Sequence, residues 1–189
     1  RRVLFRSAAK PHPRSLPGAA ALAEMASQRG RALAALRWQV SAAPRPPGAG
    51  AEGDGFRFGD MTLKSLMAYA YDRTDADLRD AKQRLLNLAA WDPRGATAHD
   101  DRESSFIAWV VTLGYDWLGP ALDESQRDAL RKMLSTRIGD LYGWITGANG
   151  WPHDASYVPP PLWRHPRDSH RAYIAGMLAV MSTLLIGDL

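Results

Sequence analysis

The chain has 189 residues, 46% hydrophobic and 23% charged, which is enough length and apolar content to bury one core. It contains no cysteine, so disulfides and thiolate metal sites are excluded, and no apolar run reaches the roughly eighteen residues of a membrane span. Its 24 basic and 20 acidic residues give a formal charge of +4.

Part of that basicity sits in the first seven residues. "RRVLFRS" is what the end of a common short-read sequencing adapter would encode, so residues 1–7 are expected to be a translated adapter artefact. Taking Arg1, Arg2 and Arg6 from the 24 basic residues leaves 21 against 20 acidic ones, a net charge of +1. Charge then gives no reason to expect nucleic acid as a partner.

Residues 8–18 and 41–59 are rich in Pro, Gly and Ala without periodic apolar positions, and read as loop or linker. Between them "AAALAEMASQRGRALAALRWQV" is rich in helix formers, interrupted by Gly30. Residues 8–59 are therefore expected to hold one helix and a linker. Residues 60–189 are expected to hold a partial helical domain, truncated at its C-terminus.

From residue 60 two kinds of helical segment alternate. "MTLKSLMAYAY" (61–71), "SSFIAWVVTLGYDWL" (104–118) and "AYIAGMLAVMSTLLI" (172–186) are apolar nearly all round, as enclosed helices are. Between them, residues 75–91 and 123–145 carry single apolar stripes: Leu78, Ala81, Leu85, Leu88 and Ala89 in the first, Leu130, Leu134, Ile138, Leu141 and Ile145 in the second. Asp123 with Gln126 predicts a capping box, and Asp75 is the expected cap of the earlier outer helix. Each enclosed segment turns at an aspartate-containing corner. The expectation is an all-α chain, an incomplete α/α toroid of alternating inner buried and outer amphipathic helices. A plain helical bundle is the alternative.

No P-loop, dinucleotide-type glycine run, HExxH or GxSxG is present, and the spacing of the five histidines matches no standard metal motif. Neither a cofactor nor a metal is expected. The irregular stretch 147–168 carries Trp151, Tyr157 and Trp163 among prolines, and flat aromatic faces near His and Arg suit a sugar ring. Two polar clusters, "RGATAHDDRESS" (94–105) and "HPRDSH" (165–170), stand in front of the second and third enclosed helices. If inner helices run the same way, His99, Arg102, His170 and Arg171 share one rim. A helix N-terminus favours an anion and a neutral imidazole, so His170 there could donate to a carboxylate.

"LAAWDPRG", "DDRESSFIAWVVTLGYDWLGPALDESQRDALRKML" and "DSHRAYIAGMLAVMSTLLIGD" resemble the N-terminal α/α-toroid domain of the heparinase II/III-like polysaccharide lyases, through the order and spacing of the segments over residues 60–189. The resemblance implies β-elimination at a uronic acid of an acidic polysaccharide, heparin-like or alginate-like, in the periplasm or outside the cell. It implies that His170, within "DSH", is catalytic and that Ser169 stands where several members have asparagine in the carboxylate-neutralising pair. Ser169, Arg171, Arg102, His99, Trp151, Tyr157 and Trp163 are the candidate substrate-binding residues, Arg102 by rim position rather than by motif. It further implies an acid/base tyrosine beyond Leu189, later toroid helices and a β-sandwich domain. This chain alone is thus expected to be an inactive fragment. Two other classes stay open: an α/α-toroid glycoside hydrolase using Asp100, Asp101 or Asp168, and a non-catalytic carbohydrate-binding helical domain.

Overall fold

The computed structural model describes residues 18, 20, 21, 24, 30–149 and 169–189. Among them there is no strand. The described helices are α1 (Gly30–Ala42), α2 (Asp54–Asp72), α3 (Asp75–Ala89), α4 (Asp101–Leu118), α5 (Glu124–Thr146) and α6 (Ser169–Leu184), with short 3₁₀ turns at Ala96–Ala98 and Gly119–Ala121.

The centre is α4, which packs against α2, α3, α5 and α6. Ile107, Ala108, Val110, Val111 and Leu118 are fully buried in it, so each large side chain contributes about 1.5–3 kcal/mol by leaving water. Both neighbours in its layer run parallel to it. At the start of α4, Glu103 accepts from the backbone N–H groups of Gly53 and Gly55 at the start of α2, and Asp101 meets His170 at the start of α6. At the far end, the Tyr115 hydroxyl donates to Asp188 beyond α6 at 3.3 Å. The N-termini of α2, α4 and α6 therefore share one rim.

The outer helices α3 and α5 bury the expected stripes. Ala81, Leu85 and Leu88 are fully enclosed, as are Leu130 and Leu134, while Leu78, Ala89, Ile138 and Ile145 pack at the margin. The capping box of α5 forms as spacing predicts: Gln126 N–H donates to Asp123 Oδ1 at 2.9 Å and Asp123 N–H to Gln126 Oε1 at 3.1 Å. On α3 the cap is not Asp75. Thr74 fills it, accepting from Asp77 N–H at 3.2 Å, because Arg73 turns left-handed at φ 55° and leaves Thr74 as the last extended residue.

Two expectations change. Helix α2 begins at Asp54, not near residue 60, because Gly55 and Gly59 are contact surfaces rather than linker: a Cβ on Gly55 would strike Glu103 and Ile107, and one on Gly59 would sit 2.9 Å from Phe106 Cε1. Helix α6 is buried on one stripe only, Arg171, Ile174, Leu178, Met181 and Leu184. Tyr173, Val180 and Ile186 are exposed, since its main neighbours among the described residues are α4 and α5. The Pro/Gly segment before α2 is held by α3 and by Trp91 just beyond it. Arg84 donates to the carbonyls of Val40, Ala43 and Pro44, Asn87 to Pro46, and the Trp91 indole to Pro47.

Helical glycines separate into two groups that stability measurements can distinguish. A Cβ at Gly114 would lie 2.5 Å from Leu85 Cδ1 in the core, whereas Gly139 and Gly176 face open space. Gly114→Ala is expected to cost about 1–3 kcal/mol in denaturant unfolding; Gly139→Ala and Gly176→Ala should each gain about 0.5–1 kcal/mol.

Candidate functional site

The shared rim is assembled from backbone needs. The first N–H groups of a helix lack intrahelical acceptors, and α4 meets this with Asp100, whose Oδ1 accepts from Arg102 N–H at 2.8 Å and Glu103 N–H at 3.0 Å. Burial alone would raise the Asp100 pKa, but these two bonds and the Arg102 guanidinium outweigh it and hold the carboxyl below its ordinary value. Glu103 is turned the other way, into the start of α2. Its burial pushes the pKa up against the pull of the Gly53 and Gly55 N–H groups.

Beneath the rim, Arg137 of α5 is 1% exposed. It donates to Thr97 Oγ1 at 2.7 Å and Ser104 Oγ at 3.0 Å, fastening the 92–100 segment to the start of α4. Burial brings its pKa down to about 10, which still leaves it cationic at neutral pH.

Asp101 differs from its neighbours. Its side chain is 4% exposed and Oδ2 lies 3.4 Å from His170 Nδ1, with the imidazole 46% exposed. That oxygen is buried without a hydrogen-bond partner. Burial raises the Asp101 pKa, the nearby His170 opposes the shift, and the charge on Asp100 adds to it. A buried carboxylate facing a half-open imidazole is an acid–base arrangement. Among the described residues no group of three or more His, Asp or Glu side chains could hold a metal ion.

The structure thus brings His170 to Asp101 and leaves Ser169 exposed beside it. Arg102 is exposed and pairs with Asp100 at 3.5 Å; His99 is exposed where the 3₁₀ turn ends. Arg171 does not project from the rim as expected. It is 3% exposed, its guanidinium carbon 5.8 Å over the Trp144 ring, because it falls three residues before Ile174 on the buried stripe. Trp151, Tyr157, Trp163 and Asp168 lie outside the described residues.

Asp101 entered the sequence reading only as a hydrolase carboxylate, and Glu103 and Arg137 did not enter it. Arg137 stands three residues after Leu134 on an apolar stripe, and a charge there was the available signal. A cavity of about 840 Å³ lies elsewhere, between α1, α2 and α3. Its charged groups are already engaged, Arg37 by Asp72 and Asp77 and Arg84 by Asp80. No protein-family model matches the chain, and no curated protein matches it significantly.

The raised Asp101 pKa has a signed consequence for stability. The folded state binds this proton more tightly than the unfolded chain, so the contribution is complete below the unfolded carboxyl value of 3.8 and is lost as pH rises through the folded value. Asp101→Asn does not titrate. Its melting temperature is expected to match the parent chain near pH 3 and to exceed it at pH 7, a gap that differential scanning calorimetry across the range would read.

Proposed function

We propose that this rim is the acid–base face of a polysaccharide lyase that cleaves uronic-acid-containing chains by β-elimination, with His170 as the catalytic residue the described structure contributes. The observation that carries the reading is the pairing of a half-exposed His170 with a buried Asp101 where two parallel helices start. The resemblance of residues 60–189 to heparinase II/III-like enzymes supports it, as does the enclosure of α4 with α3 and α5 packed outside it. An α/α toroid is the architecture proposed with it.

The chemistry sets the requirements. Elimination breaks the C5–H bond of the uronate, moves its electrons into a C4–C5 double bond, and expels the glycosidic oxygen from C4, which then takes a proton. The substrate carboxylate must be bound so that the C5 proton becomes acidic, and a base must stand at that proton. Helix N-termini favour the anion. Exposed Arg102, Ser169 and His99 add donors on the same side, and Trp151, Tyr157 and Trp163 are proposed to stack on sugar rings. A hydrolase using Asp100 is less well served, because that carboxylate is spent on capping α4.

Protein carrying this chain, incubated with heparin, heparan sulfate or alginate, is expected to release unsaturated uronate products, followed by their ultraviolet absorbance. His170→Ala should lower the rate by about 10²–10⁴ while far-ultraviolet circular dichroism stays unchanged. New reducing ends without the unsaturated chromophore would mean hydrolysis. Lyase activity indifferent to His170→Ala would remove the histidine from the mechanism.

A further inference from the structure

We infer that Asp101 is the positioning residue of His170: its buried carboxylate faces Nδ1 as an acceptor, keeping the proton on Nδ1–H and so leaving the lone pair on Nε2, across the ring. This deepens the reading of the rim as an acid–base site and rests on it for its functional meaning.

Capping of α4 belongs to Asp100, and the tie to α2 belongs to Glu103. What Asp101 does have is an oxygen sealed from solvent, without a hydrogen-bond partner, and aimed at one nitrogen of one imidazole at 3.4 Å. A neutral imidazole carries one N–H and one lone pair, and the nitrogen that faces an acceptor is the one that keeps the proton. Ionised Asp101 is an acceptor only. Among the described residues, the charged groups at this end of the neighbouring elements include Asp100 at the cap of α4, Arg102 and Glu103 on α4, Arg137 on α5 and Arg171 on α6. Asp100 is held by Arg102, Glu103 by backbone N–H groups, and Arg137 by Thr97 and Ser104.

The consequence alters what His170 does. With its proton on Nδ1, neutral His170 presents an acceptor at Nε2 rather than a donor. It therefore suits removal of a proton from a substrate carbon, not the neutralisation of a substrate carboxylate by hydrogen-bond donation. When the C5 proton moves to Nε2, the imidazolium that forms lies against the Asp101 carboxylate, so the charge created in the step meets an opposite one already in place.

The test needs no substrate. In ¹⁵N-labelled chain above the pH at which the histidines are neutral, long-range ¹H–¹⁵N correlation spectra report which nitrogen of His170 holds the proton. The expected result is Nδ1 in the parent chain and loss of that preference in Asp101→Ala; Asp101→Asn, closer in shape, provides the same reading if the alanine variant does not fold. A proton on Nε2 in the parent chain overturns the inference, and so does an Nδ1 preference that survives in the variants. The outcome is separable from the lyase reading. The expected tautomer without unsaturated products would sink the proposed function and leave the positioning intact, whereas unsaturated products with the opposite tautomer would do the reverse.

Discussion

Everything in this structure depends on the enclosure of one helix, α4, by four others. Enclosure removes water from one side of the first turn as well as from the middle of the helix, and the N–H groups that lack an intrahelical acceptor, with the carboxylates that serve them, find partners within the fold. Asp100 and Glu103 are two answers to that constraint. Asp100 bonds the start of its own helix, and Glu103 reaches the start of α2. The second bond also sets how closely the two helices approach, which is why Gly55 has no room for a side chain. A polar rim at the mouth of an apolar helix is thus first a structural necessity, and chemistry becomes available there because the groups are already charged and held.

Much of the helical layout was legible because burial on one face leaves a period in the sequence. The stripes of α3 and α5 carry that period and are buried as read; the Asp123 and Gln126 box formed because its spacing is local. What could not be read was anything decided by a neighbour. Gly55 and Gly59 look like linker until Glu103 and Phe106 are seen to occupy the space beside them. Helix α6 is apolar all round, yet being apolar only permits enclosure. Burial needs packed neighbours on every side, and the described residues supply them on one.

The site divides along the same line. His170 was legible from its place before an apolar run, and the shared rim followed once the enclosed helices were taken as parallel. Its pairing with Asp101 was not legible, because the two residues meet only through the packing of α6 on α4. Arg171 shows the opposite error. Its position on the 171, 174, 178 and 181 stripe already placed it inward, but its charge suggested the surface. Stacking over Trp144 lets an arginine occupy an apolar stripe, since a guanidinium is weakly hydrated and planar.

Burying charge is costly, several kcal/mol for an ion left without partners, so the way each charged group near the rim is satisfied separates support from function. Arg137 spends its guanidinium on Thr97 and Ser104, and Glu103 spends its carboxylate on two backbone N–H groups. Both are hydrogen-bonded by fixed parts of the fold. Asp101 faces instead a half-exposed imidazole, its Oδ2 3.4 Å from His170 Nδ1. A buried carboxylate whose ionisation is opposed by burial, beside a half-exposed histidine on the same rim, is the feature on which the proposed acid–base role rests.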